Sequence, residues 1–146
     1  MTCSTPRFHQ RNGAAFGDPS GHPHSRVASS AAEKISKKAR TAIEDARRSG
    51  QGIAISDIAL LEISILERKA RIRLNSSLET FLSEIEARFI VLPITGRICV
   101  RAVSLPASYP NDPADRIIGA TALVEGVPLI TADEGMRRSQ VLRTIW

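Results

Sequence analysis

A chain of 146 residues is long enough for one packed domain and cramped for two. Its hydrophobic fraction of 42% supports a core, and no apolar run approaches the ~20 residues of a membrane span, which excludes a transmembrane helix. The net charge of +5 belongs to the first third: residues 1–50 hold nine Lys/Arg against four Asp/Glu, and residues 51–146 hold eleven of each. The basicity therefore reads as a charged helix face or a solvated tail, not as a basic surface of the whole domain.

Residues 1–30 contain no Leu and no Ile, but three Gly, three Pro, five Ser and all three His. Such a segment buries too little apolar area to offset chain entropy, so residues 1–33 are expected to be disordered and the domain to span 34–146. His22 and His24 lack a third ligand nearby and read as solvated. The first residues offer no secretory signal, and Cys3 and Cys99 match neither a disulfide framework nor a zinc spacing, so a reducing cytoplasm is the expected compartment.

From Ala31 the texture becomes periodic. Ile35, Ala39, Ala42, Ile43 and Ala46 recur at helical spacing, with Gly50 placed as a stop. Ile53–Ile55 is a short β-rich run, and Ser56 is a suitable N-cap for the helix that follows. That helix, DIALLEISILERKARI, is apolar almost all round for three turns and reads as buried. Leu78, Phe81, Leu82 and Ile85 mark another helix, Phe89–Ile94 a strand, and Thr95 caps a helix running to Leu105. Beyond the loop LPASYPND, Asp112 is an N-cap, Pro113 sits at the first helical position, and Gly126 ends the helix. VPLIT is a strand, ADEGMRRS a short helix or turn, and VLRTIW a last strand. Strands alternating with helices call for a parallel sheet with helices on both faces.

Three carboxylates sit where packing alone does not put them. Glu62 shares a helix face with Ile58 and Ile65, where an unpaired charge is expensive. Asp115 lies in a first helical turn, where it complements the helix dipole, and Asp133 directly follows a strand. Ligand sites in parallel sheets lie outside the carboxyl ends of the strands. Singly, these residues read as a paired acid, a dipole residue and a cap. Together they form a candidate oxygen-ligand site suited to Mg²⁺ or Mn²⁺.

The stretches ISDIALLEISIL, DPADRIIGATALVEGVPLITAD and VLRTIW resemble the PIN-domain ribonucleases, especially the VapC toxins of type II toxin–antitoxin pairs. SKKARTAIEDARRSG is similar to the helix that precedes the family's second strand. The resemblance covers residues 34–146 and implies a three-layer α/β/α sandwich with a mostly parallel sheet. It implies a Mg²⁺- or Mn²⁺-dependent endoribonuclease in which Glu62, Asp115 and Asp133 are the catalytic metal ligands. Ser56 and Thr131 are placed to order those carboxylates, and Arg116 to meet a phosphate or form a structural ion pair. The implied partners are RNA, a VapB-type antitoxin and a second copy of the chain, with no membrane.

The family's first strand ends in an Asp-Thr pair, which residues 1–33 lack; their one Asp is Asp18. The central strand is therefore expected to be absent. Codons for Cys3-Ser4-Thr5-Pro6, read one base later, permit Leu, Leu or Phe, Asp and Thr, so a frameshifted start accounts for the departure. The alternative to an enzyme is a catalytically inactive, degenerate PIN domain that binds an antitoxin or dimerises. A simple nucleic-acid binder using the basic first third is a further alternative.

Overall fold

The computed structural model describes residues 35–146 and the backbone of a strand at Arg7–His9. In chain order the elements are β1 (Arg7–His9), α1 (Lys37–Arg48), β2 (Ala54–Ser56), α2 (Asp57–Arg68), α3 (Leu78–Arg88), β3 (Ile90–Leu92), α4 (Gly96–Val103), α5 (Pro113–Val124), β4 (Leu129–Thr131), α6 (Glu134–Arg138) and β5 (Thr144–Ile145). The strands form one parallel sheet in the order β3-β2-β1-β4-β5.

The expectation of a missing central strand is corrected. Arg7 pairs with Ala54 on one side, and Arg7, Phe8 and His9 pair with Leu129, Ile130 and Thr131 on the other. Without it β2 and β4 would face each other across an unpaired gap, and backbone pairing needs no apolar alternation to close it. Three residues fall below the window in which periodicity identifies a strand. The expectations for residues 10–33, with Asp18, His22 and His24, lie outside the described residues.

The helices form for local reasons. Ser36 caps α1 by accepting the Ala39 N–H at 3.1 Å, and Gly50 leaves the helix at φ +67°. Ala39 and Ala46 pack with Ile53, Ile130 and Ile145, covering one face of the sheet. Leu129, the alternate residue of β4, packs on the opposite side with Leu105, Ile118, Ala122 and Met136. Three layers result.

The helix α2 is not buried all round. Ala59 and Ile63 are buried and Ile58 packs toward α5, while Leu61 is 54% exposed. A helix held between a sheet and one neighbour still turns a third face to solvent. The strand in VLRTIW shortens to Thr144–Ile145, because Val141 and Leu142 leave the ladder and pack into the Leu105 cluster.

Candidate active site

All five strands run the same way, so their carboxyl ends share one edge of the sheet, where this topology places ligands. At the start of α5 the Asp112 carboxylate accepts the N–H groups of Ala114 at 3.0 Å and Asp115 at 3.4 Å. With Pro113 at the first position, this cap sets the first turn and so the place of Asp115, which is 2% exposed.

Asp133 stands beyond β4 and caps α6, its Oδ1 accepting the Met136 N–H at 2.8 Å. Its own N–H donates to Thr131 Oγ1 at 3.1 Å, and that fully buried hydroxyl donates to Met136 Sδ at 3.7 Å. Thr131 thus orients the backbone that carries Asp133, leaving Oδ2 outside the cap. The sequence allowed either a cap or a site residue at Asp133; the geometry makes it a cap with one oxygen to spare.

Tyr109, 1% exposed, lies against the first turn of α5, where its hydroxyl donates to the Asp115 carbonyl at 3.2 Å. Burial raises its pKa above the ordinary phenol value; the charges of Asp115 and Asp133 push in the same direction and that of Arg116 opposes them. Glu62 is half-buried on α2, one turn beyond Ile58, which packs against the cluster of Tyr109 and Ile118. Among the described residues, no three His, Cys, Asp or Glu side chains form a metal-holding group. The structure sets Asp115 in the first turn of α5 and Asp133 at the cap of α6, and leaves Glu62 on the helix that packs against α5.

Ser56 occupies the N-cap position of α2 without making the cap hydrogen bond; its hydroxyl is buried and has no partner among the described residues. The adjacent Asp57 ties the end of β3 to the start of α2 by accepting the Ile94 N–H at 3.0 Å on Oδ2, while its Oδ1 is buried without a hydrogen-bond partner among the described residues. Arg116 is a brace. Its Nε donates to the Ala102 carbonyl at 2.9 Å, Nη2 to Leu105 at 2.6 Å and Nη1 to Pro110 at 3.4 Å. No ion pair to Arg116 accompanies these bonds among the described residues.

Reasoning from sequence passed over Tyr109 and Asp57. Asp57 has the pattern of a helix-dipole residue, and Tyr109 lies in a loop without periodicity. The available signal for Tyr109 was Gly119, an isolated glycine inside a helical pattern, which usually marks a close packing contact. The donor set of Glu62, Asp115 and Asp133 is all oxygen and suits a hard divalent cation in chemistry.

The PIN domain family model matches residues 27–141. Ribonuclease VapC22 of Mycobacterium tuberculosis is 34% identical over 116 residues, covering 78% of this chain and 86% of that protein. A toxin–antitoxin complex from Klebsiella pneumoniae aligns at 26% identity and a TM-score of 0.47, over 64% of this chain and 73% of that one. The crystal structure of FitAcB from Neisseria gonorrhoeae aligns at 17% identity and a TM-score of 0.43, over 85% and 86%. Sequence similarity across most of the chain, on a parallel α/β/α fold, places this protein in the PIN-domain family, among its VapC-like members.

Proposed function

We propose that the chain is a PIN-domain endoribonuclease of the VapC type that hydrolyses RNA phosphodiester bonds with Mg²⁺ or Mn²⁺. The observation that carries this reading is the loop of Tyr109 and Pro110 at the carboxyl edge of the sheet, which touches the Asp115 backbone on one side and reaches the surroundings of Asp133 on the other. Similarity to a ribonuclease over most of the chain supports it. Asp115, Asp133 and Glu62 would hold the cation, which supplies charge neutralisation and water activation when bound. Thr131 fixes the backbone of Asp133, and the Ser56 hydroxyl, without a partner among the described residues, is available to order a carboxylate or a water. Arg116 serves the site by bracing it.

The partners in this reading are RNA, a VapB-type antitoxin and a second copy of the chain. Strands β3 and β5 end the sheet, and Ile90 on β3 is 51% exposed, so an uncovered edge remains. Among the described residues no helix is long and apolar enough to cross a membrane.

RNA cleavage assayed with Mn²⁺, then with excess EDTA, tests the reading: cleavage should require the metal. Glu62→Gln should abolish it while stability stays unchanged or rises, because a charge leaves a half-buried face. A clear loss of stability in Glu62→Gln would make that carboxylate a structural one. The absence of a three-carboxylate group among the described residues favours a second reading, an inactive PIN domain that docks an antitoxin or dimerises. Antitoxin binding with no cleavage at any Mn²⁺ concentration would decide for it.

A further inference from the structure

The segment Leu105–Pro110 lies across the starts of α5, which carries Asp115, and of α6, which Asp133 caps. Toward α5, the Tyr109 hydroxyl meets the Asp115 carbonyl at 3.2 Å, and its ring fills a slot that exists because residue 119 is glycine. A Cβ at Gly119 would stand 2.2 Å from the Tyr109 oxygen and 2.5 Å from Cζ. Toward α6, Pro110 reaches the neighbourhood of Asp133: a Cβ at Gly135 would lie 3.2 Å from Pro110 Cγ and 3.1 Å from Asp133 Oδ1. Arg116 holds the segment down by its bonds to the Leu105 and Pro110 carbonyls. Two glycines, one in each helix, thus admit consecutive residues of one loop.

We propose that Tyr109 is a positioning residue: anchored in the Gly119 slot and bonded to the Asp115 carbonyl, it fixes the first turn of α5 relative to Asp133. It acts through the backbone and touches no reacting atom. A phenol fits this task because its ring is rigid and its oxygen donates to a carbonyl without bringing a charge near two carboxylates. The inference rests on the reading that Asp115 and Asp133 hold a divalent cation, and it adds the group that sets their separation.

The test measures Mn²⁺ affinity by titration calorimetry and the melting midpoint in EDTA, on the full chain and its variants. Tyr109→Phe keeps the ring and removes the donor. It should bind Mn²⁺ about tenfold more weakly, the scale of losses seen when an outer contact to a metal ligand is removed, with only a small fall in midpoint. Gly119→Ala should lower both quantities by forcing the ring out. Tyr109→Leu combined with Gly119→Ala restores space for the Cβ but not the hydroxyl, so the midpoint should recover from Gly119→Ala while Mn²⁺ affinity stays low. Unchanged Mn²⁺ affinity in Tyr109→Phe, or its full recovery in the double variant, overturns the proposal and leaves the metal site standing. No Mn²⁺ binding by the unaltered chain overturns the metal reading and this proposal with it, and that outcome is decided before any variant is made.

Discussion

Tyr109 is the single tyrosine of the chain, so its ionisation can be followed directly by absorbance near ~295 nm, where only phenolates and not phenols absorb strongly. Its folded-state pKa lies above the ordinary value, first by burial and then by the charges of Asp115 and Asp133. The sign of the linkage follows. Above about pH 10 the unfolded chain releases a proton that the folded phenol keeps, so stability is complete below that value and falls as pH rises past it, by up to about 1.4 kcal/mol per pH unit. The stability difference between the chain and Tyr109→Phe should therefore shrink between pH 9 and 11, roughly where a free phenol titrates. A phenol that ionises at its ordinary pH in the folded chain would contradict the burial. Arg116 gives a second residue-scale prediction. Arg116→Met keeps the stem but strips three carbonyls of their donor, and should cost about 2–3 kcal/mol in chemical denaturation. Arg138, whose pairing with Glu134 at 3.3 Å is exposed, makes the contrast: Arg138→Ala should stay within about 0.5 kcal/mol.

At the scale of elements, caps and stops were legible because they depend on a few neighbouring residues. Asp112 with Pro113, Thr95 before α4, and Gly50 and Gly126 at positive φ all do what their positions foretold. Ser56 departs from the rule. It has the backbone of an N-cap, yet its hydroxyl makes no cap bond and lies buried without a partner among the described residues. The general rule assigns about 1 kcal/mol to losing a cap oxygen. Here Ser56→Ala should be neutral or slightly stabilising, since it removes an unsatisfied buried hydroxyl. A loss of a full kcal/mol in denaturant titration would restore the capping role. The same variant should reduce RNA cleavage if the hydroxyl orders a group of the site. The breadth of the apolar stripe on α2 misled for a related reason: periodicity records which residues are apolar, and Leu61 is apolar yet 54% exposed.

For the whole molecule the decisive feature is β1, three residues that close the centre of the sheet. A segment without Leu or Ile reads as disordered, yet Arg7–His9 join the two halves of the sheet. Phe8→Pro removes a backbone donor from a central strand paired on both sides, a position that does not tolerate proline. It should abolish the cooperative thermal transition followed by circular dichroism, whereas a proline-free control such as Phe8→Val should keep it. An unchanged melt for Phe8→Pro would mean that the chain folds without β1.

The sequence by itself determined the alternation of strands and helices, the helix starts and stops, and the parallel α/β/α class. Each is set by spacing or by neighbours a few residues apart. Only the tertiary structure decided what meets across the chain. It paired Arg7–His9 with β4, more than a hundred residues away, and set Tyr109 into the slot opposite Gly119. It turned Arg116 onto three carbonyls and laid the loop of Tyr109 and Pro110 against the Asp115 backbone and the surroundings of Asp133. Contacts of this kind depend on the packing of elements against one another, and a periodicity read along one chain carries no record of which slot a distant side chain fills.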